Sequence, residues 1–398
     1  MKILLINVVF GYGSTGVIVE NLAKEYTKQG NEVFIIQGRG KNKKKEGFKV
    51  FKPTSELESK THHFFSIFNG NIYGGMSFST RKIVRTIKRI QPDLVHLHCL
   101  NGYFVNIYKL LAFLKNNGFR TILTNHADFM FTANCGYTLN CNNWMNNECS
   151  NCARVREFAG RFAINRTHKN YLKLKKVVNG FDTLKLTCVS PWLTSRIKKS
   201  PLYYGREIKT ILNPVVCNSD YADNPYLNYL ERYGKKRVAL FVCNQINNPE
   251  KGFSWFKKIA YEMSDSDYLF VLIGNNASDN IQSPNIISLG QIDNSSLSKF
   301  YYHADVTLLF SMRETFSMIT AESLCYGTQV AGFKSGGPES ISIDKASYFV
   351  DYGNIQSLIY VLNEKIYKLD LETKNKIISI ARQKYDLENI GEQYLNLW

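Results

Sequence analysis

Residues 2–38 read KILLINVVFGYGSTGVIVENLAKEYTKQGNEVFIIQG. "KILLINVVF" is a continuous apolar run that stops at glycine. Val17, Val19, Leu22, Ala23 and Tyr26 then recur at helical spacing as far as Gly30, and "NEVFIIQG" is a second apolar run. Two apolar strands joined through a helix pair in parallel, because the helix returns the chain to the end where the first strand began. The pattern repeats through the helical "TRKIVRTIKRI", the strand "DLVHLH", the helical "NIYKLLAFLKNNG" and the strand "RTILTNHAD". The first half is therefore expected to be a doubly wound sheet covered by helices.

A second series starts beyond residue 205, with strands "RVALFVC", "YLFVLIG", "IISLG", "VTLLF" and "QVAGF" alternating with helical segments. The two α/β halves share an architecture but no literal repeat. The boundary is expected in "SPWLTSRIKKSPLYYG" (190–205), where prolines, serines and basic residues break the pattern, giving domains 1–200 and 201–378. A chain of 398 residues exceeds what one core usually organises, which fits two domains. Hydrophobic residues at 44% and charged residues at 21% exclude disordered, collagen-like and coiled-coil proteins.

No apolar run approaches the roughly 20 residues that span a bilayer, and the start lacks a cleavage pattern, so the expected location is the cytosol. Cys99, Cys188, Cys217, Cys243 and Cys325 lie singly in apolar segments, as free thiols in a reducing compartment do. The formal charge of +17 calls for polyanionic surroundings: nucleic acid, an anionic membrane face or a phosphorylated substrate. The dense run "KNKKKEGFK" lacks the aromatic interleaving of a single-strand binder, and no nucleic-acid reading motif is present, which sets that partner aside.

Ligands of such sheets sit beyond the carboxyl ends of the strands, so the residues directly after strands carry the functional reading. "GYGSTG" (Gly11 to Gly16) opens the first helix with free N–H groups suited to an anion. It has neither a dinucleotide fingerprint nor a Walker lysine, which argues against a nicotinamide enzyme or a P-loop ATPase, and a simple tight turn is an equal reading. His96 and His98 share one strand face, and His126 and Asp128 follow another strand. Cys135, Cys141, Cys149 and Cys152 form C-x5-C-x7-C-x2-C, in which structural zinc ranks ahead of free thiols and of disulfides. Lys251 with Gly252 brings an ammonium to the first loop of the second half, suited to a diphosphate. Glu314 and Glu322 in "RETFSMITAESLCYG" are eight residues apart, about 12 Å at helical rise. That exceeds the carboxylate spacing of ordinary glycosidases, roughly 5 to 9.5 Å, and suits two ends of one extended ligand, with the N–H groups of Thr315, Phe316 and Ser317 facing an anion between them.

The E-x7-E element from Glu314 to Glu322, "GTQVAGFKSGGPES" after it, the Lys251-Gly252 loop, the "GSTG" loop and the twin halves resemble the retaining family-4 glycosyltransferases of the GT-B fold. "HADFMFTANC" and its cysteines resemble the subgroup of bacterial exopolysaccharide, colanic acid and O-antigen assembly. The resemblance implies an α/β GT-B architecture, two Rossmann-like doubly wound domains facing a cleft, with an acceptor-binding first domain, a donor-binding second domain and 379–398 as a helix crossing back. It implies that Glu322 holds the ribose, Glu314 the donor sugar with Thr315, Phe316 and Ser317 beside it, and Lys251 with Gly252 the diphosphate. His126 would stand at the reacting centre, and Gly13, Ser14, Thr15, Gly16 and His98 on the acceptor side.

The implied donor is a UDP or GDP type nucleotide sugar, with no cofactor or divalent metal needed for catalysis. The implied acceptor is a saccharide linked to polyprenyl diphosphate, at the inner face of the plasma membrane. That anionic surface would draw basic residues such as Lys41, Lys43, Lys44 and Lys45. One departure from the family pattern is that "CNQINNPEKG" has no arginine before its lysine. It keeps open a silent homologue that binds anionic glycolipid, and the same fold also hosts sugar-nucleotide epimerases and phosphorylases.

Overall fold

The computed structural model describes the chain apart from residues 41–46, 133, 160–162, 275–282 and 294–295; Lys41, Lys43, Lys44 and Lys45 lie outside the described residues. Two compact units are present, Met1–Pro214 with Leu387–Trp398, and Val215–Asp386.

The first unit holds a seven-stranded parallel sheet of β1 (Lys2–Asn7), β2 (Glu32–Gln37), β3 (Lys49–Phe51), β4 (Leu94–Leu97), β5 (Thr121–Asn125), β6 (Leu184–Cys188) and β7 (Ile208–Thr210), in the order β3-β2-β1-β4-β5-β6-β7. Strand β1 lies between its neighbours with Ile3 opposite Val33 on one side and Leu94 on the other. Helices α1 (Gly13–Lys28), α2 (Glu56–Asn69), α3 (Ser77–Ile90) and α4 (Ile107–Asn116) join the strands. Because the sheet is covered on both faces, β1 reads as an unbroken apolar run with all but Lys2 buried.

The second unit holds β8 (Arg237–Val242), β9 (Tyr268–Ile273), β10 (Ile286–Ser288), β11 (Val306–Leu309), β12 (Gln329–Phe333) and β13 (Ser347–Val350), all parallel, in the order β10-β9-β8-β11-β12-β13. Side chains alternate across it as a pleated strand requires. Ala239, Phe241, Phe270 and Leu272 enter one core with Phe256 and Phe310, while Val238, Leu240, Leu269 and Val271 enter the other with Tyr226 and Tyr301.

Two boundaries differ from the sequence reading. Residues 201–214 stay with the first unit because Ile208–Thr210 extends its sheet, pairing Leu186 with Ile208. The helix Leu371–Lys384 runs through the expected boundary at 378 and belongs to the second unit, where it packs on the helix Met318–Cys325 and Arg382 Nε donates to Cys325 O at 3.2 Å. The last helix, Leu387–Leu395, packs against α1 in the first unit. Gly391 lets it lie close, since a Cβ there would sit 2.8 Å from Glu25 Cγ, and the Tyr394 ring stands 4.7 Å from that of His96.

Tyr394 is fully buried, so Tyr394→Ala should cost the protein about 3 kcal/mol of unfolding free energy in urea, against a change within about 0.5 kcal/mol for the exposed Gln393→Ala. Equal effects of the two would mean that the helix is not docked.

Candidate active site

Both sheets reverse their winding at one place, between β1 and β4 in the first unit and between β8 and β11 in the second. The loops leaving two such neighbours diverge and leave room for a ligand at the carboxyl ends of the strands. The glycine loop follows β1 and His98 follows β4; Lys251 follows β8 and Glu314 follows β11.

In the second unit Asn248 starts a turn of 3-10 helix, its side chain accepting from Glu250 N at 3.0 Å, and Lys251 ends it. Gly252 then takes φ +77°, and a Cβ there would lie 2.4 Å from both Cβ and O of Phe310 at the end of β11. Glycine is needed on both counts. This approach lets Met312 N donate to Glu250 O at 2.8 Å and brings Lys251 Nζ to Glu314 Oε1 at 2.7 Å. Glu314 is fixed from its other side too. Its N–H donates to Ser335 O at 3.1 Å and its carbonyl accepts from Gly337 N at 2.8 Å, where a Cβ on Gly337 would lie 2.3 Å from Thr315 C.

The helix after Glu314 begins at Met318, so Thr315 and Phe316 precede it and Ser317 is its N-cap. Phe316 is buried, and its ring packs edge-on against Tyr385 at 6.2 Å. Ser317 adopts φ +78° and its Oγ accepts from Thr320 N at 3.2 Å, so one of the helix's leading donors is already satisfied. A non-glycine residue in that conformation is strained and is kept there by its surroundings. Glu322 sits inside the helix, half-buried, with Tyr301 OH donating to its Oε2 at 3.0 Å. Burial raises its carboxyl to about 7, against the smaller opposing effect of the Tyr301 hydrogen bond.

Sequence reasoning missed three participants here. Glu339 accepts from Ser335 N at 2.7 Å and Gly336 N at 2.9 Å, holding the glycine turn beside Glu314; its position three residues after Gly336 is the capping-box spacing. Tyr301 carries no local signal. Cys217 lies in the same unit with its thiol lowered, first by a hydrogen bond with Cys325 and then, against burial, by Arg382.

In the first unit the glycine loop folds on itself, Gly11 N donating to Gly16 O at 2.9 Å, and Gly13 opens α1 at φ +63°. Ser14 and Thr15 lie in the first turn, and Asn7 Nδ2 reaches Thr15 Oγ1 at 3.4 Å while Asn7 Oδ1 accepts from Cys99 N at 3.0 Å. The end of β1 is thus tied to the end of β4. The two strand histidines separate: His96 is core, bonded to Tyr26 OH at 3.2 Å and Thr124 Oγ1 at 2.8 Å, whereas His98 Nδ1 meets His126 Nε2 at 3.0 Å. Burial pushes His96 down to about 3 and His126 to about 4, and His98 well below its ordinary value, so all three are neutral imidazoles near pH 7.

Asp128 is turned away from this group. Its Oδ2 accepts from Thr138 N and Oγ1, each at 2.9 Å, and from Arg196 at 3.3 Å, while the Arg196 guanidinium stands over Trp144 at 5.2 Å and Trp192 at 4.8 Å. This network braces the cysteine loop. Cys135, Cys141, Cys149 and Cys152 are free thiols, and Cys135 is pushed up by burial and then by the charge the other three would carry. Among the described residues no group of three or more His, Cys, Asp or Glu side chains is arranged to hold a metal ion.

The raised carboxyl of Glu322 has a signed consequence. It titrates near 4.5 in the unfolded chain and near 7 in the folded one, so its stabilising proton is fully present below about pH 4.5 and lost as pH rises through about 7. The unfolding free energy of the wild type relative to Glu322→Gln should fall by on the order of 2–3 kcal/mol between about pH 4.5 and about pH 8. A difference independent of pH would make Glu322 an ordinary solvated carboxylate.

Comparison with known proteins bears on both units. Residues 15–218 match the family model described as Glycosyltransferase Family 4, and residues 236–365 match that described as Glycosyl transferases group 1. A curated relative from Klebsiella pneumoniae, an uncharacterized 41.2 kDa protein in the cps region, is 23% identical over 168 residues, which are 41% of this chain and 47% of that protein. The chain thus spans about half the length of the curated relative it matches. Among solved structures, sucrose-phosphate synthase from Thermosynechococcus elongatus has a TM-score of 0.67 at 13% identity, covering 100% of this chain and 98% of that one. HepE of Anabaena in complex with UDP and glucose has a TM-score of 0.63 at 15% identity, covering 100% and 99%. These likenesses show the fold, the two Rossmann-like α/β halves of the GT-B glycosyltransferases. With a family model covering half of its residues, the chain belongs to Glycosyltransferase Family 4.

Proposed function

We propose that the protein is a retaining glycosyltransferase that moves a sugar from a nucleoside diphosphate sugar to a hydroxyl of a saccharide acceptor. The observation that carries this reading is the convergence of Lys251 and Glu314 at 2.7 Å on two neighbouring strand ends, with Glu322 on the helix that follows. An ammonium, a fixed carboxylate and a half-buried carboxyl match the three parts of a sugar nucleotide: diphosphate, sugar hydroxyls and ribose diol. The HepE structures with UDP and with UDP-glucose favour a UDP-type donor.

In the proposed reaction the bond from the anomeric carbon to the diphosphate breaks with its electron pair going to the phosphate oxygen. The acceptor oxygen bonds the same face of that carbon, and the acceptor proton passes to the departing phosphate. Lys251 balances charge that grows on the leaving group, so no bound metal or other cofactor is required of this scheme. The loop after β11 carries a guanidinium, Arg313, directly before Glu314 in the chain. His126, neutral near pH 7, serves as a hydrogen-bond partner of the donor sugar, supported by His98, and the Gly13–Gly16 loop borders the acceptor. The cps-region relative favours an acceptor in bacterial surface polysaccharide assembly; an acceptor linked to polyprenyl diphosphate at the cytoplasmic face of the membrane is part of the same proposal.

Thermal unfolding with UDP, GDP, ADP and CMP tests the donor site. One nucleotide should raise the melting temperature, and Glu322→Ala should abolish the shift. Its affinity should fall about tenfold per pH unit well below pH 7, because the ribose hydroxyls donate to the ionised carboxylate. With the matching sugar nucleotide, Glu314→Ala and Lys251→Ala should each lower kcat about a hundredfold or more. Nucleotide binding without turnover on any saccharide acceptor would favour the silent glycolipid-binding homologue, and release of an isomerised sugar nucleotide would favour an epimerase.

A further inference from the structure

The first unit presents a surface that the proposed chemistry does not use. The fully buried side chains of α2 are Ser59 and Ser66, whereas Leu57 is 75% exposed, Phe64 and Phe65 are each 56% exposed and Phe68 is 46% exposed. Leu57, Thr61, Phe64 and Phe68 recur at helical spacing, so they form one outward stripe with Phe65 beside it. The Phe64 ring packs edge-on against Phe65 at 5.8 Å and Phe68 at 5.2 Å. Small polar residues inward and aromatic residues outward invert the pattern of a helix that only serves a core.

Helix α2 is tied to α3 through the Glu58 carboxylate, which accepts from Ser79 N at 3.0 Å. Phe78 opens α3 at 70% exposure, with the Arg81 guanidinium 6.0 Å from its ring. Helix α3 packs on α4, and α4 on the helix Thr167–Val178; the three carry five, two and four Lys or Arg residues and no Asp or Glu. Between α3 and α4 lies a groove of about 280 Å³ whose lining includes Thr80, Val84, Arg81, Arg85, Lys88 and Lys109 and no carboxylate.

We propose that α2, α3 and α4 dock this protein on an anionic lipid bilayer, the phenylalanines of α2 and Phe78 entering the boundary between headgroups and acyl chains and the α3–α4 groove taking lipid phosphates. Charge complementarity selects the occupant, because four cations line a groove without acids. The exposed apolar stripe distinguishes a bilayer from a nucleic acid, whose phosphates would engage the cations and leave Leu57 and the rings of α2 in water. Among the described residues no helix is long and apolar enough to cross a membrane, so the contact is interfacial. The inference deepens the glycosyltransfer reading by naming the surface that presents its acceptor, and it is tested without donor or acceptor.

The full chain is sedimented with vesicles of phosphatidylcholine, with and without phosphatidylglycerol. Binding should be at least about tenfold tighter with phosphatidylglycerol. The double variants Arg85→Glu/Lys88→Glu and Phe64→Ser/Phe65→Ser should each weaken it about tenfold or more, while the charge reversal Lys376→Glu, at an exposed position of the second unit, leaves it unchanged. Unaltered melting temperatures and nucleotide-induced shifts would certify that the variants fold. Equal binding to both vesicle types, variants no weaker than Lys376→Glu, or displacement from vesicles by duplex RNA at equal phosphate would overturn the proposal. Absence of vesicle binding by the wild type beside an intact nucleotide shift counts against the docking surface alone, and vesicle binding by the wild type without any nucleotide shift counts against the donor site alone.

Discussion

Two Cβ atoms that have no room to exist hold the second unit's site together. At Gly252 the missing atom would overlap Phe310, and at Gly337 it would overlap the Thr315 carbonyl carbon. Because those spaces are empty, the loops after β8, β11 and β12 lie in one layer, stitched by Met312 N to Glu250 O and by the paired hydrogen bonds of Glu314 with Ser335 and Gly337. The Lys251–Glu314 pair rides on this layer. With side chains 37% and 19% exposed, it contributes no more than about 1 kcal/mol to stability, so its significance is positional. It sets an ammonium and a carboxylate at a fixed separation, at the point where the winding of the sheet reverses.

Burial acts on both units in one electrical direction, although it moves pKa values oppositely. It disfavours charge, so it lowers the imidazoles of His96, His98 and His126 and raises the carboxyl of Glu322. A chain with a formal charge of +17 thus keeps these inner groups near neutrality and displays its cations on exposed helix faces. The His98–His126 contact has a further consequence. Two neutral imidazoles share one hydrogen bond only if one presents a proton and the other a lone pair, so the tautomer of His126 is bound to that of His98.

The strands were legible because parallel sheets buried on both faces leave unbroken apolar runs, and the helices because their inward residues repeat at the helical period. The locations of Lys251, Glu314 and the glycine loop followed from the rule that function gathers after strands. The missing pieces all depend on contacts distant in the chain. Ile208–Thr210 is too short to announce itself and is a strand only because β6 offers it an edge. His96 and His98 are indistinguishable by alternation, and the surroundings separate them: Tyr26 and Thr124 claim one, His126 the other. The cysteine loop is braced by Asp128, Thr138 and Arg196, and the contact between Asp128 and Arg196 spans 68 residues of chain.

Helix α2 shows why periodicity gives a helix its period and leaves its orientation open. Leu57, Phe64 and Phe68 are spaced as a core stripe would be, and pattern alone would turn them inward. The neighbouring surface decides otherwise. Tyr103 receives the rings of His62 and His63 edge-on at 5.6 and 4.6 Å, and its carbonyl accepts from Ser59 Oγ at 2.7 Å. Those contacts need small or polar side chains facing the unit, so the stripe is left to water. Each exposed phenylalanine forgoes the roughly 25 cal/mol per Å² that burial would return. Folding alone gives the sequence no reason to accept that loss at three phenylalanines of one helix tied to the acid-free α3; an apolar, anionic surface that covers them recovers it.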